Sequence, residues 1–167
     1  MATESLLPAP PRAGGDAFRH AMARLPTGVA VVTTQGLDGP VGCTVNAVMS
    51  LSVRPPAVLV SLASESRTLH QILDSGSFAI NVLPWKARHL SRKFGTGPAA
   101  QRFAGVPWQP QYGIPVLTAA SVAVVCDVGS SVRLFDHTLV AGVVTWTRTD
   151  EEPPTVLYAS GQYSLGD

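Results

Sequence analysis

Charge is scarce in this 167-residue chain: Asp, Glu, Lys and Arg make up 14% of it, and 12 basic against 11 acidic residues leave a net charge of +1. No basic run and no aromatic-plus-arginine stripe is present, which argues against a nucleic-acid partner. Cysteine is nearly missing. Cys43 and Cys126 each lie in an apolar run, not in a Cys-x-x-Cys pair or beside clustered histidines. That removes a disulfide framework and a metal site and fits buried free thiols in a reducing cytoplasm. No apolar run approaches the ~20 residues of a bilayer-spanning helix, so no membrane association is expected and the protein should be soluble. The first fifteen residues, MATESLLPAPPRAGG, lack the basic start and apolar core of a signal peptide. They are expected to be a mobile tail ahead of one domain over 16–167. Also absent are a Gly-x-Gly-x-x-Gly turn, a Gly-x-Ser-x-Gly elbow and any internal repeat, which argues against a doubly wound dinucleotide fold, a nucleophilic serine and a solenoid.

What the chain does have is apolar material, 46% of its residues, and enough length to bury roughly 70% of the surface it exposes when unfolded. Phe18, Met22 and Leu25 recur at helical spacing after Asp16, a candidate cap, and Pro26 stops the run. A β-branched strand over 29–34 and the Asp38-Gly39-Pro40 turn predict a hairpin with the segment that follows. Further strands are expected over 57–62, 78–83, 122–128, 137–146 and 155–158. A short helix over 68–73 should end at Ser75-Gly76, an exposed helix should run over 85–94, and 95–113 reads as a long loop. Many strands and few helices predict a mainly antiparallel β-barrel with small helices at its ends.

One stretch, GCTVNAVMSLSV over 42–53, alternates with the two-residue period of a strand. Cys43, Val45, Ala47, Met49, Leu51 and Val53 form one face. Thr44, Asn46, Ser50 and Ser52 surround Val48 on the other, which is polar yet uncharged. Such a face suits an edge strand open to water or a wall against a neutral, flat, hydrogen-bonding ligand. A second stretch, Ser61 to His70, reads SLASESRTLH and crosses from a strand into a helix start. Its hydroxyls and Arg67 suit a phosphate seat at a helix N-terminus, or an ordinary cap by Ser66 or Thr68 with Arg67 in water. Asp136 beside His137 suits an oriented imidazole or a turn-forming Asp with a structural His. His20, His70 and His89 fall on helical stretches with no ligand spacing. Acids, bases and nucleophiles are thus too few for unaided chemistry, whereas a bound cofactor carries its own electrophile. Flavin is such a group: its amide-like ring edge suits Thr44 and Asn46, and its phosphate suits Ser66, Arg67 and Thr68.

In chain order, FRHAM at 18–22 with PTGV at 26–29, TVN at 44–46, PP at 55–56, SRT at 66–68 and SGSFAINVL at 75–83 precede RFAGVPW at 102–108, DHT at 136–138 and GQY at 161–163. This ordered set, spread over about 150 residues, resembles the short-chain flavin reductase family, FMN-binding split-barrel proteins that supply reduced flavin to two-component monooxygenases. The resemblance implies a homodimeric antiparallel split barrel with flavin, FAD or FMN, near the subunit interface. It implies flavin contacts from Thr27 and Gly28, from Thr44, Val45, Asn46 and Ala47, and from Ser61, Leu62 and Ala63. Ser66, Arg67, Thr68, Asn81, Phe94, Gly95 and Tyr163 complete that set. Asp136 and His137 match a Gly-Asp-His motif near the nicotinamide, with His137 as the catalytic candidate that positions it. Phe135 stands where the family has that glycine and is expected to narrow the nicotinamide side or alter nucleotide preference. Ala159 replaces a frequent histidine, and Ala47 a frequent serine. The expected activity is reduction of flavin by NADH, with NADPH as the alternative, and release to a partner monooxygenase. NADH is preferred because no arginine cluster awaits a 2′-phosphate, although Arg88, Arg92 and Lys93 lie on a helix whose place the sequence does not give. The competing expectation is a non-catalytic flavin- or haem-binding split-barrel protein, motivated by Phe135.

Overall fold

The computed structural model describes residues 13–151 and, as backbone only, 157–158 and 162–163. Expectations for 1–12, for 155–156, for Ala159 and Gly161, and for the side chain of Tyr163 fall outside the described residues.

Helix α1 (Gly15–Met22) leads into the two-residue strand β1 (Thr27–Gly28). The expected hairpin forms: β2 (Ala30–Gly36) and β3 (Gly39–Val45) pair antiparallel, with Leu37 and Asp38 at the tip. Strands β4 (Val48–Val53) and β5 (Pro56–Ala63) follow, then α2 (Arg67–Ser75) and β6 (Ser77–Val82). Helix α2 stops where Gly76 takes the left-handed conformation at φ 73°, as its Ser-Gly ending predicts. Helix α3 (His89–Thr96), a hairpin of β7 (Trp108–Gln111) and β8 (Ile114–Leu117), and the long strands β9 (Val122–Leu134) and β10 (His137–Thr149) come next. Strand β11 (Leu157–Tyr158) pairs with β1 and with β12 (Gln162–Tyr163) in a small separate sheet.

Every pairing in the main sheet is antiparallel, in the order β3-β2-β6-β9-β10-β5-β4. Its two edges, β3 and β4, are joined by only Asn46 and Ala47. Laid flat, seven strands would hold those edges about 29 Å apart at a ~4.8 Å spacing, whereas the link from Val45 to Val48 reaches at most about 11 Å. The sheet therefore curls into a barrel that closes at this link. The continuous strand expected over 42–53 is thus broken, and the break reverses the faces. Cys43 and Val45 pack into the barrel, as does Val48, while Met49, Leu51 and Val53 are exposed at 55%, 47% and 78%.

The barrel interior is filled by Ala30, Val32, Val60, Leu62, Phe78, Ile80, Cys126 and Val140, and plugged at one end by Leu69 and Ile72 of α2. Gly142 is required there, because a Cβ on it would lie 2.5 Å from the Phe78 ring. On the outer face, Val29 and Val31 pack under Leu90 and Phe94 of α3, and Ala79, Ala123 and Val125 under Ile114 and Val116 of β8. These packing partners correct two expectations. The segment 85–94 is a short 3-10 turn (Trp85–Ala87) followed by α3, and its apolar side is buried. The supposed loop over 95–113 contains β7, whose hairpin roofs the sheet. Helix α1 differs as well. Its N-cap is Gly14, Asp16 instead accepts from Arg19 at 2.8 Å, and none of its side chains is buried. Beyond the barrel β9 and β10 run on together, and residues 129–137 are exposed on both faces.

Candidate active site

Strand β4 leaves its ladder with β5 at Val60, so Ser61, Leu62 and Ala63 pair only with β10 on their other side. Across from them lies the end of β3. The seam is bridged by Ser61 N–H donating to Ala47 O at 3.0 Å. Above that bridge it opens into a recess of about 270 Å³ bounded by Thr44, Val45 and Asn46 on one side, Ser61, Leu62 and Ala63 on the other, and Cys43, Ser66 and His137 at its ends. Half-paired strand edges leave backbone amide and carbonyl groups in search of partners, as does an amide-edged planar ring. Thr44 Oγ1 donates to Ser91 O and so ties this wall to α3, and a Cβ on Gly95 would stand 3.6 Å from the Thr44 side chain. Asn46 is exposed and its amide has no hydrogen bond among the described residues.

At Ser66 the recess meets a larger one of about 380 Å³, lined by Ser66, Arg67 and Thr68 at the start of α2, by the 38–42 turn and by Ala99, Ala100, Arg102 and Phe103. Neither Ser66 nor any other side chain caps α2. The ordinary-cap alternative is therefore not what forms, and the helix presents uncapped N–H groups and its positive dipole end here. Arg67 is exposed, 3.9 Å from Asp38. Burial pushes the Cys43 thiol up, against contacts from Thr68, the Arg102 charge and Ser66. Toward the opposite end, Asn46 and Ser61 also border a third recess of about 240 Å³ with Ala47, Met49, Leu59 and Leu139. The groove thus runs from cationic through neutral polar to apolar, a sequence that matches a phosphorylated tail attached to a flat ring.

His137 opens β10 opposite Ala63 and is half exposed. Its Nδ1 meets Asp136 Oδ1 at 2.9 Å, which holds the Asp136 carboxyl below the usual carboxylate range and leaves Nε2 for a ligand. Asp136 also anchors the turn, its carbonyl accepting from Ser64 N–H. Phe135 has φ 58° and is 95% exposed. The turn needs a left-handed residue at this position, which explains a glycine there, and the ring stands in solvent. The expected narrowing of the groove by Phe135 is therefore not seen.

Other expected contacts lie elsewhere. Asn81 is fully buried: it donates to Val31 O and Thr33 Oγ1 and accepts from Leu117 N–H, so it bolts β6 to β2 and β8 instead of lining the groove. Phe94 is fully buried under Gly42, edge-on to Phe103 at 5.0 Å. Thr27 and Gly28 border none of the three recesses, and Thr27 Oγ1 is buried without a hydrogen bond among the described residues. Sequence reasoning left out Arg102 and Cys43. Arg102 donates to Gly42 O at 2.8 Å and to Gly97 O at 3.1 Å, which fixes its guanidinium in the recess wall. Its place in RFAGVPW was the available signal.

A family model described as a flavin reductase like domain matches residues 22–166. The chain is 40% identical over 161 residues to a flavin reductase (NADH) of Kitasatospora aureofaciens, covering 93% of this chain and 84% of that protein. It is 35% identical over 128 residues to the flavin-dependent monooxygenase reductase subunit HsaB of Mycobacterium tuberculosis, covering 76% of this chain and 68% of that one. Among solved structures, the flavin reductase PheA2 in its native state superposes with a TM-score of 0.85 at 32% identity, over 93% of this chain and 100% of that chain. Likeness that runs from the last residue of α1 past β12, through the seam and the helix that borders it, has one explanation: the chain belongs to the flavin reductase like domain family.

Proposed function

We propose that this protein oxidises NADH, with NADPH as the alternative donor, and reduces FAD or FMN, which then leaves for a partner monooxygenase. The observation that carries this is the seam groove, cationic at Arg67 and Arg102, neutral at Thr44, Asn46 and Ser61, and bordered by His137. Donors there fit the group: uncapped helix N–H groups and two guanidiniums for phosphate, half-paired strand edges for the ring. When bound, flavin supplies the hydride acceptor. The chain's own part is orientation, since holding two planar reactants at a near-attack distance of about 3–3.5 Å removes several kcal/mol of barrier. Thr44 and Asn46 hold the ring edge. His137, kept in one orientation by Asp136, positions the nicotinamide through Nε2, and no general base is required.

The partner is a flavin-dependent monooxygenase component, in keeping with the names of HsaB and of a styrene monooxygenase flavin reductase. Two copies of the chain form the working unit. Met49, Leu51 and Val53 on β4 and Phe18, Met22 and Leu25 at α1 leave apolar surface uncovered, and Met49 brings that surface to the groove's open end. A cytoplasmic location agrees with two free thiols. No helix among the described residues is long and apolar enough to cross a membrane. The carrier alternative rested on Phe135, whose exposed ring leaves the groove clear. The test is loss of dihydronicotinamide absorbance when FAD or FMN is added to purified protein with NADH or NADPH. A rate above the uncatalysed background is expected, and background rates in all four combinations overturn the proposal.

A further inference from the structure

We infer that the recess at the start of α2 is a subsite for an adenosine monophosphate moiety, so that the protein prefers FAD to FMN. This rests on the flavin reductase proposal and deepens it. The recess holds about 380 Å³, more than the 270 Å³ at the seam. A terminal phosphate seated on the uncapped N–H groups of α2 is a small group beside a recess of this size, and under FMN the rest of it is left to water.

Chemistry beyond the phosphate seat favours a purine nucleoside over a second anion. Pro40, Val41, Ala99, Ala100 and Phe103 add carbon surface to its polar lining. The Arg102 guanidinium is locked by two carbonyls, so it presents a fixed plane on which a purine stacks and a charge for the second phosphate of a pyrophosphate. Asp38 stands at the rim, 3.9 Å from Arg67. Its carboxylate repels the terminal phosphate of FMN, but accepts from an adenine amino group or a ribose hydroxyl.

Steady-state kinetics with FAD, FMN and riboflavin at saturating NADH, together with calorimetric titration of each flavin without NADH, test this. The KM and Kd for FAD should each lie about tenfold or more below those for FMN. Ala100→Trp, at an exposed position that tolerates bulk, should raise the FAD constants about tenfold more than the FMN constants. Asp38→Ala, in an exposed turn, should narrow the preference by improving FMN. Equal FAD and FMN constants in the unaltered protein overturn the inference while leaving flavin reduction intact. So does an Ala100→Trp effect confined to the KM for NADH, because the recess would then hold that nucleotide's adenosine. Tighter FAD binding with no turnover overturns the reductase proposal and keeps the subsite.

Discussion

On one wall of the barrel Asn81 spends both amide N–H groups and its carbonyl oxygen inside the protein, with bonds of 3.0, 3.0 and 2.8 Å to Val31, Thr33 and Leu117. At the seam, Asn46 has the same side chain, is exposed, and bonds nothing among the described residues. Thr33 extends the first cluster by donating to Pro115 O, so three strands are clasped by polar atoms that water never reaches. The opening itself is crossed by a backbone bond, Ser61 N–H to Ala47 O, and the Asn46 amide takes no part in it. Buried polar groups are strong glue only when every one is satisfied, and open ones are free to serve a ligand at little cost to the fold. The difference teaches which half of the barrel is built for holding and which for receiving.

The sharpest way to break this contrast is to substitute alanine at both asparagines. Asn81→Ala strands the Leu117 N–H and two acceptors in a dry site and should cost about 2–4 kcal/mol in urea unfolding, with flavin affinity of the folded fraction unchanged. Asn46→Ala should leave stability within about 0.5 kcal/mol and raise the flavin KM about tenfold, the loss of one ring-edge contact. Equal stability losses at both positions would erase the distinction. His137→Ala should raise the KM for NADH several-fold more than that for flavin, and equal increases would reject its assigned role. Phe135→Gly should stabilise the protein by about 0.5–1 kcal/mol, because glycine adopts φ 58° freely and the exposed ring loses no packing. An effect confined to alkaline pH concerns Cys126 on the holding side. Burial, reinforced by Asp127, pushes its thiol up to about 12 from 9.0. Its protonated form is thus favoured by folding, so that stability is full below pH 9.0 and falls as pH climbs toward 12. A urea midpoint that stays level across that window would show the thiol to be less enclosed than its neighbours indicate.

Much of the architecture was legible because short-range chemistry decides it. The β2-β3 hairpin follows from its Asp-Gly-Pro turn, α2 from its Ser-Gly ending, and the barrel class from the density of strands. The break at Asn46 and Ala47 was not legible. Alternation runs straight through 42–53, and only the order of strands in the closed sheet shows that β3 and β4 must part there. Helix α3 misled for a related reason, since its basic side was conspicuous while Leu90 and Phe94 found their cover on β2. Within the site, residues contiguous in the chain assembled together: Thr44, Val45 and Asn46 face Ser61, Leu62 and Ala63. Asn81 and Phe94 are residue types equally at home in a core or at a ligand, and nothing local distinguishes the two. For Arg102 the RFAGVPW stretch marks the segment but not the role, which comes only from the two carbonyls that hold its guanidinium.

The two-residue link between β3 and β4 has a mechanical consequence. Because the chain's own length there draws the barrel's rims together, the gauge of the opening is dictated by backbone, not by whichever side chains happen to border it. Bordering residues then select which molecule is held without resetting that gauge, whereas a single added residue at 46–47 would slacken the whole mouth.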